Sequence, residues 1–268
     1  MKKSMICALL VLIAGMVVML GAGYRLMETN REYLEGDAVY DDLSFRIRRA
    51  ADTSERPHQT VGSTAAAGEL PPDEKRPYIY IPEYEIDFDT LLSVNKDSAA
   101  WLYSPGTVID YPVMRADDYN YYLNHLADGT ANANGTLFID YNNAHDFSGG
   151  LTVIYGHHMK SGKMFGSLKG YKEQSYYDSH PYMYLYTQEG SFRIELMYGI
   201  VVAAGQWKEQ AFMFEENLDA FLEHAMRNTT FKSDVKRQAG DRIIALSTCS
   251  YEFNDARYVV IGVLNWNA

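Results

Sequence analysis

The sequence has little cysteine, and the positions of its two cysteines argue against a disulfide. Cys7 lies inside an apolar segment at the N-terminus, and Cys249 lies close to the C-terminus. If the apolar segment spans a membrane, Cys249 is the one thiol outside it, where stable cysteines usually occur in pairs. An unpaired Cys249 is therefore either a small buried residue or a reactive thiol.

The sequence also has few basic residues relative to acidic ones. Its formal net charge is -11, and no stripe of Lys and Arg occurs in the C-terminal two thirds. Nucleic acid is therefore excluded as an expected partner. The acidity itself indicates only good solubility.

Motifs that bind metals or cofactors are lacking too. The pair His157-His158, together with the distant Cys249, could in principle contribute to a zinc site. Structural zinc sites, however, take four ligands at recognisable spacings, and neither a second nearby cysteine nor an HExxH motif is present. No metal site is predicted, no cofactor is implied, and no acidic cluster supports calcium.

The N-terminal part of the sequence contains a long apolar run. Lys2 and Lys3 precede the uncharged residues 4–24, and Arg25 follows them. About 20 such residues span a bilayer, and the leading positive charges favour an N-terminus inside the cell. Residues 1–25 are therefore predicted to be a cytoplasmic tip and a single-pass transmembrane anchor in the cell membrane, with the rest extracellular. The alternative is a cleaved signal peptide, since residues 21–23 are small.

The composition changes twice after the anchor. Residues 26–50 mix charged and apolar side chains and predict a juxtamembrane helix. Residues 51–77 are rich in Ala, Pro, Ser, Thr and charge, which indicates a flexible linker. Residues 78–268 are dense in Tyr, Phe, Ile, Val and Leu and are predicted to form one compact domain.

Two apolar runs near the C-terminus predict strands that meet at one end of a sheet. Cys249 follows the run 242–246, and Arg257 precedes the run 258–264. If the strands are antiparallel neighbours, about 4.8 Å apart, both side chains could reach one ligand. A third predicted strand, 151–155, ends just before His157, where an imidazole could point into a cleft.

Three blocks of the sequence resemble the sortases of class B. They are "WLYSPGTVIDYPVMRADDYNYYLNH" at 101–125, "TLFIDYNNAHDFSGGLTVIYGHHMKSGKMFGSLKGY" at 136–171 and "IIALSTCSYEFNDARYVVIGVL" at 243–264. Residues 205–235, which include an amphipathic segment, resemble the helix-bearing insertion of class B. The block 117–123 departs from the family pattern, in which Asp-Asn often precedes the Tyr-Leu pair. The resemblance implies a mainly β fold, an eight-stranded sortase β-barrel with flanking helices, in a sortase catalytic domain spanning 78–268.

The resemblance also implies roles for individual residues. Cys249 matches the family's nucleophile, His157 its catalytic histidine and Arg257 its arginine. Ser247 and Thr248 match positions expected to support the substrate pocket, although strand-end residues that satisfy backbone groups would look the same. His158 is assigned no chemistry.

The implied reaction is transpeptidation at the surface of a Gram-positive cell. The thiol cleaves a P-x-T-containing sorting signal of a secreted protein, and an amine of a peptidoglycan cross-bridge or a pilin lysine resolves the thioacyl-enzyme. For a thiol and an imidazole with ordinary pKa values of ~8.5 and ~6.5, the thiolate–imidazolium pair is about one hundredth as populated as the neutral pair. A slow enzyme is therefore predicted.

Two other functions fit parts of the sequence. A non-catalytic surface protein could use the same barrel to bind wall polymer or a pilin, although all three catalytic residue types are present. A papain-like protease is disfavoured because the motif C-G-[SA]-C-[WY] is lacking and the histidine precedes the cysteine.

Overall fold

The structure, a computed structural model, describes residues 2–50, 84–250 and 254–266. The α-helices in these ranges are α1 (Lys2–Ile47), α2 (Phe88–Val94), α3 (Gln174–Ser179), α4 (Ala204–Glu209) and α5 (Leu218–Asn228). The strands are β1 (Arg48–Ala50), β2 (Tyr84–Ile86), β3 (Ser98–Tyr103), β4 (Asp110–Met114), β5 (Leu137–Ile139), β6 (Leu151–Tyr155), β7 (Tyr182–Thr187), β8 (Gly190–Ala203), β9 (Arg242–Ser250) and β10 (Ala256–Trp266). Short 3₁₀ helices occur at Tyr121–Leu123, Phe165–Lys172 and Glu215–Asn217.

Eight of the strands close into a barrel in the order β10-β8-β7-β3-β4-β5-β6-β9. Neighbouring strands are antiparallel except for the pairs β4–β5 and β6–β9, which are parallel. Closure pairs both edges of the sheet. The predicted eight-stranded barrel with flanking helices is confirmed.

Strand β9 is buried on both of its faces. Ile244 and Leu246 belong to the larger core cluster, to which all eight barrel strands contribute. Ile243 and Ala245 belong to a second cluster, which lies beneath α4 and α5 and includes Phe221. Because successive side chains of a strand point to opposite faces, a strand that is covered on both sides has a continuous run of apolar residues in its sequence. The insertion between β8 and β9 therefore covers the outer face of the barrel.

Helix α1 runs for 46 residues and changes character along its length. It is the one helix in the described ranges that is long and apolar enough to cross a membrane, and its apolar N-terminal part is exposed. Further on, Gly36, Tyr40, Leu43 and Ile47 are buried against the domain. Their spacing of three and four residues places them on one face of the helix.

The predicted flexible linker, 51–77, lies outside the described residues, but the chain on either side of it is held together. Strands β1 and β2 pair antiparallel, with Ala50 opposite Tyr84. The amide of Asp87 also donates a hydrogen bond to the carbonyl oxygen of Ile47 at 2.9 Å. Helix α1 therefore joins the domain directly, ahead of residue 51.

Candidate functional site

The predicted neighbours Cys249 and Arg257 lie directly opposite each other. Strands β9 and β10 are antiparallel, and Cys249 and Arg257 are register partners. Residues directly opposite in an antiparallel pair project from the same face, with Cβ atoms about 4.5–5.5 Å apart. Both side chains are half-buried, and Cys249 is a free cysteine within the described ranges.

His157 follows the neighbouring strand, β6, at the same end of the barrel. Beyond the last paired residues of β6 and β9, the amide of Gly156 donates to the carbonyl oxygen of Ser247 at 3.2 Å. The hydroxyl of Thr248 returns a hydrogen bond to the carbonyl oxygen of Gly156 at 2.8 Å. Because these strands run parallel, the next residues along each chain, His157 and Cys249, lie at the same level.

The thiol and the guanidinium project from the outer face of the barrel. Ala245 and Val259 belong to the cluster beneath α4 and α5. Cys249 lies four residues beyond Ala245 on β9, and Arg257 lies two residues before Val259 on β10, so both share that face. The site is therefore a surface region next to the helical insertion, which peptides can approach without opening the core.

The imidazole of His157 is oriented by a backbone carbonyl. Its Nε2 lies 2.7 Å from the carbonyl oxygen of Leu123, at the end of the 3₁₀ helix Tyr121–Leu123. A carbonyl oxygen can only accept, so Nε2 carries the hydrogen. The nitrogen that can gain and lose a proton is therefore Nδ1.

The adjacent histidine, His158, for which no role was predicted, contacts the backbone of the cysteine. Nδ1 of His158 donates to the carbonyl oxygen of Cys249 at 2.7 Å. Burial lowers the pKa of His158; the bond to Cys249 opposes this shift, while the positive charges of Lys169 and Lys172 add to it. A neutral ring is therefore favoured, and it fixes the backbone that carries the thiol.

The two hydroxyl residues before the cysteine differ in their hydrogen bonding. Thr248 is buried and its hydroxyl is used by the backbone of Gly156. Ser247 is also buried, but its Oγ has no hydrogen-bond partner within the described ranges. Of the two, Ser247 is the residue whose hydroxyl is not already used by a hydrogen bond among the described residues.

A buried carboxylate beside the site was not identified from the sequence. Asp140 has no exposed surface and accepts hydrogen bonds from the hydroxyls of Tyr119 at 3.0 Å and Tyr155 at 2.9 Å. The side-chain amide of Asn142 donates to it at 2.9 Å, and the indole of Trp207 donates to the Tyr155 hydroxyl at 3.3 Å. Asp140 thus joins a loop, the end of β6 and helix α4. In the sequence Asp140 is a lone aspartate after a short apolar run, which does not indicate that three side chains hydrogen-bond to it.

The insertion between β8 and β9 lies where the sequence predicted it and contains the expected amphipathic helix. Helices α4 and α5 lie between β8 and β9, and the amphipathic segment forms α5. Its buried side chains, among them Phe221 and Leu222, face the barrel. Within residues 2–50, 84–250 and 254–266, no group of three or more His, Cys, Asp or Glu side chains is placed to hold a metal ion.

Comparisons with known proteins agree on one family. A family model of the sortase domain matches residues 102–265. Sortase B of Listeria monocytogenes is 32% identical over 177 residues, which are 65% of this chain and 72% of that protein. The crystal structure of Staphylococcus aureus sortase B superposes with a TM-score of 0.62 at 26% identity, covering 68% of this chain and 87% of that one. A Streptococcus pyogenes class B sortase involved in pilus biogenesis gives a TM-score of 0.60 at 29% identity, covering 67% and 98%.

Proposed function

This chain belongs to the sortase family and to its class B, the cysteine transpeptidases, and we propose that it cleaves a P-x-T-containing sorting signal and transfers the acyl group to an amine. The proposal gives Cys249 the role of nucleophile, His157 that of general acid and base, and Arg257 that of charge stabiliser. The direct pairing of Cys249 with Arg257 is the observation that supports it most.

The proposed reaction has two acyl-transfer steps. The Cys249 thiolate attacks the threonine carbonyl carbon of the sorting signal, and the C–N bond to the downstream peptide breaks. Protonated Nδ1 of His157 gives its proton to the departing amine. A thioester remains, and its carbonyl is reactive toward amines. Neutral His157 then removes a proton from the incoming amine, which forms a new amide bond and releases the thiolate.

Arg257 stays charged throughout this cycle and is proposed to stabilise the oxyanion or to bind the substrate backbone. Its guanidinium offers several N–H donors, and it projects from the same face as the thiol. The unpartnered hydroxyl of Ser247 is proposed to donate to the bound peptide, with Thr248 supporting the backbone beside it.

The acceptor is proposed to be a peptidoglycan cross-bridge amine or a pilin lysine. A sortase B with a similar fold has been crystallised with triglycine, a molecule with a free amine. A class B relative from S. pyogenes is involved in pilus biogenesis. These two similarities keep both amines as candidates.

The N-terminal helix is proposed to anchor the enzyme, with its N-terminus inside the cell and the barrel outside. Support comes from the exposed apolar residues from Leu10 onward and from the charges of Lys2 and Lys3 before them. Extracellular placement would bring the site to secreted proteins and to wall amines.

The test uses the full-length protein in detergent micelles and a set of P-x-T-containing peptides. We expect mass spectrometry to show a thioacyl adduct on Cys249, and we expect triglycine or a lysine peptide to discharge it. Cys249→Ala should lose both adduct and cleavage, whereas Cys7→Ala should keep them. Cleavage by Cys249→Ala would refute the proposal. Peptide binding with no gain in covalent mass would instead identify a non-catalytic surface binding protein.

A further inference from the structure

Helix α1 docks on the domain through hydrogen bonds to one turn, residues 132–136. The side-chain amide of Asn132 donates to the carbonyl oxygen of Glu32 at 2.9 Å, and that of Asn134 donates to the carbonyl oxygen of Tyr33 at 3.0 Å. The carboxylate of Glu32 accepts from the amide of Ala133 at 2.8 Å. Carbonyl oxygens inside a helix offer a second lone pair, so these bonds fix the helix without breaking it.

At the centre of this contact a glycine lets the helix come close. Gly36 is buried, and a Cβ at that position would lie 2.4 Å from Nδ2 of Asn134 and 2.8 Å from Oδ1 of Asn132. Both distances are too short for real atoms. The side chains of the turn therefore occupy the space that any other residue would need.

One turn further along the helix, Tyr40 reaches the end of the same loop. It is buried, and its hydroxyl donates to the carbonyl oxygen of Gly135 and lies 2.8 Å from Oγ1 of Thr136. That hydroxyl of Thr136 donates to the carbonyl oxygen of His125 at 2.8 Å. The hydroxyl of Tyr40 is thus connected to both ends of the loop 125–136, directly at Gly135 and through Thr136 at His125.

The turn rests directly on the backbone that orients His157. The amide of Thr136 donates to the carbonyl oxygen of Tyr122 at 2.7 Å. Gly135 has a φ of +60°, and a Cβ there would lie 2.8 Å from the carbonyl oxygen of Leu123. That same oxygen accepts the hydrogen bond from Nε2 of His157. A shift of the turn would therefore move the group that orients the imidazole.

The helix also supports the loop on the other side of His157. Asp37 pairs with Lys163 at 3.7 Å. The ring of Tyr40 meets that of Tyr111 edge-on at 5.3 Å, and the hydroxyl of Tyr111 accepts from the amide of Met164 at 3.2 Å. Both chain segments that flank the histidine, 123–136 and 157–164, are therefore held by the same stretch of α1.

We propose that residues 32–40 of α1 are a positioning element for transpeptidation, which fixes His157 through these two segments. The inference rests on the proposed function, since it gives His157 the proton transfers. It assigns the N-terminal helix a second task beside anchoring. The helix is continuous from its apolar part to this contact, so Gly36 lies about 16 Å beyond Arg25 along the helix axis at ~1.5 Å per residue, and the helix should hold the domain at a fixed distance from the membrane.

The main test compares two glycine substitutions in the full-length protein in micelles. Gly36→Ala places a methyl group into the turn, whereas Gly23→Ala, in the same helix, places one where nothing lies within 4 Å. Both changes raise helix propensity by the same amount. We expect Gly36→Ala to lower kcat roughly 10- to 100-fold with KM within about twofold, because misplacement affects the proton transfer more than peptide binding. Gly23→Ala should behave as wild type.

Tyr40→Phe serves as a second variant, in case Gly36→Ala does not fold. It keeps the buried ring but removes the hydroxyl that binds Gly135. We expect kcat to fall about threefold or more, with KM nearly unchanged and the thermal midpoint lowered by only about 2–4 °C, the shift that follows from losing one hydrogen bond of about 1 kcal/mol. A general loss of structure would lower the thermal midpoint much further.

A cut in the chain tests the docking itself. A protease site inserted between residues 51 and 83 would allow the peptide chain between α1 and the barrel to be cut. A denaturing gel would show that the cut is complete. We expect the barrel to stay with the micelle-bound helix and to keep its kcat.

Two results would overturn the inference. One is wild-type kcat in both Gly36→Ala and Tyr40→Phe, and the other is release of a fully active barrel after the cut. In either case the wild-type protein would still form the Cys249 adduct. A wild-type protein that forms no adduct would instead refute the proposed function.

Discussion

Two regions flank the site, and they are attached to the barrel by different kinds of contact. Residues 32–40 of α1 contact the barrel through hydrogen bonds between side chains and backbone carbonyls, in addition to the packing of Tyr33, Val39 and Tyr40 against the core. Helices α4 and α5 are attached by buried apolar side chains, with Phe221 at ring distances of 5.4 Å from both Trp207 and Phe212. The first contact depends on hydrogen bonds as well as on packing, and the second depends mainly on apolar packing.

The two contacts should respond differently to substitution. A hydrogen bond contributes about 1 kcal/mol net but requires specific distances and angles. Burying a large apolar side chain contributes more and depends less on orientation. The hydrogen-bonded contact should therefore control geometry at the site, and the apolar contact should control stability.

The largest effect on stability is expected at Phe221. Its side chain is fully buried, so Phe221→Ala removes apolar contacts and leaves a cavity. We expect the free energy of unfolding to fall by about 3–5 kcal/mol, measured by urea denaturation. Met226→Ala on the exposed side of α5 is the control and should change it by less than about 0.5 kcal/mol. A loss below about 1 kcal/mol for Phe221→Ala would mean that α5 is not part of the core.

The next effect is expected at Asp140, which joins helix α4 to the loop before Tyr121–Leu123. Its carboxylate holds Tyr119, in the loop before Tyr121–Leu123, and Tyr155, which is bonded to Trp207 of α4. Asp140→Asn keeps the shape but replaces one acceptor oxygen by a donor. Oδ2 accepts from both tyrosine hydroxyls and Oδ1 from two N–H groups of Asn142, so one of these two pairs of donors loses its acceptor. We expect a loss of about 2–3 kcal/mol in unfolding free energy together with a lower kcat.

The control for this change is Asp117→Asn, an exposed aspartate close to Tyr119 in the chain. It should leave both stability and kcat near their wild-type values. If Asp140→Asn lowered stability while kcat stayed unchanged, the carboxylate would be a core residue without influence on the site.

A smaller effect on stability, but a selective one on rate, is expected at Asn132. Asn132→Ala removes the bond to Glu32 and should lower the unfolding free energy by about 1–2 kcal/mol. Leu222→Ala in the apolar contact should lower it by about 2–4 kcal/mol. We nevertheless expect Asn132→Ala to reduce kcat more, measured at a temperature where both variants are folded. Equal effects on kcat would remove the distinction between the two contacts.

The barrel was implied by the resemblance of three sequence blocks to the class B sortases, whereas the strand pairing at the site was predicted from local patterns. Apolar runs marked β9 and β10, and their antiparallel pairing brought Cys249 and Arg257 together as expected. The position of His157 after β6 followed from the same pattern of strand ends. Strand ends are defined by nearby residues, so neighbouring positions in the chain are sufficient to recognise them.

The contacts of α1 could not be predicted, because they join residues about a hundred positions apart. Asn132 and Asn134 are ordinary loop residues in the sequence, and Gly36 is an ordinary interruption in a helix. Their fit becomes visible only when the helix lies on the turn. The convergence of hydroxyls on Asp140 and the contact of His158 with Cys249 are tertiary in the same way.

The smallest expected effect is a pH dependence of stability at His158. Burial lowers its pKa below the ordinary value of 6.5, so below about pH 6.5 the unfolded chain binds a proton more readily than the folded one. The contribution of the neutral ring is therefore fully present above that pH and is lost as the pH falls through it. We expect the thermal midpoint of wild type to fall more steeply between pH 7 and 5 than that of His158→Gln, whose amide can still donate to Cys249 but does not titrate.

Lys169 provides the check on this mechanism. Its positive charge helps to lower the pKa of His158, so Lys169→Gln should raise that pKa toward 6.5 and make the acid slope of the thermal midpoint shallower than in wild type. In His158→Gln the same lysine substitution should have no further effect on the slope, because the titrating group is gone. Parallel curves for wild type and His158→Gln would show that protonation of this ring does not affect folding, and His158 would then act on Cys249 through its hydrogen bond alone.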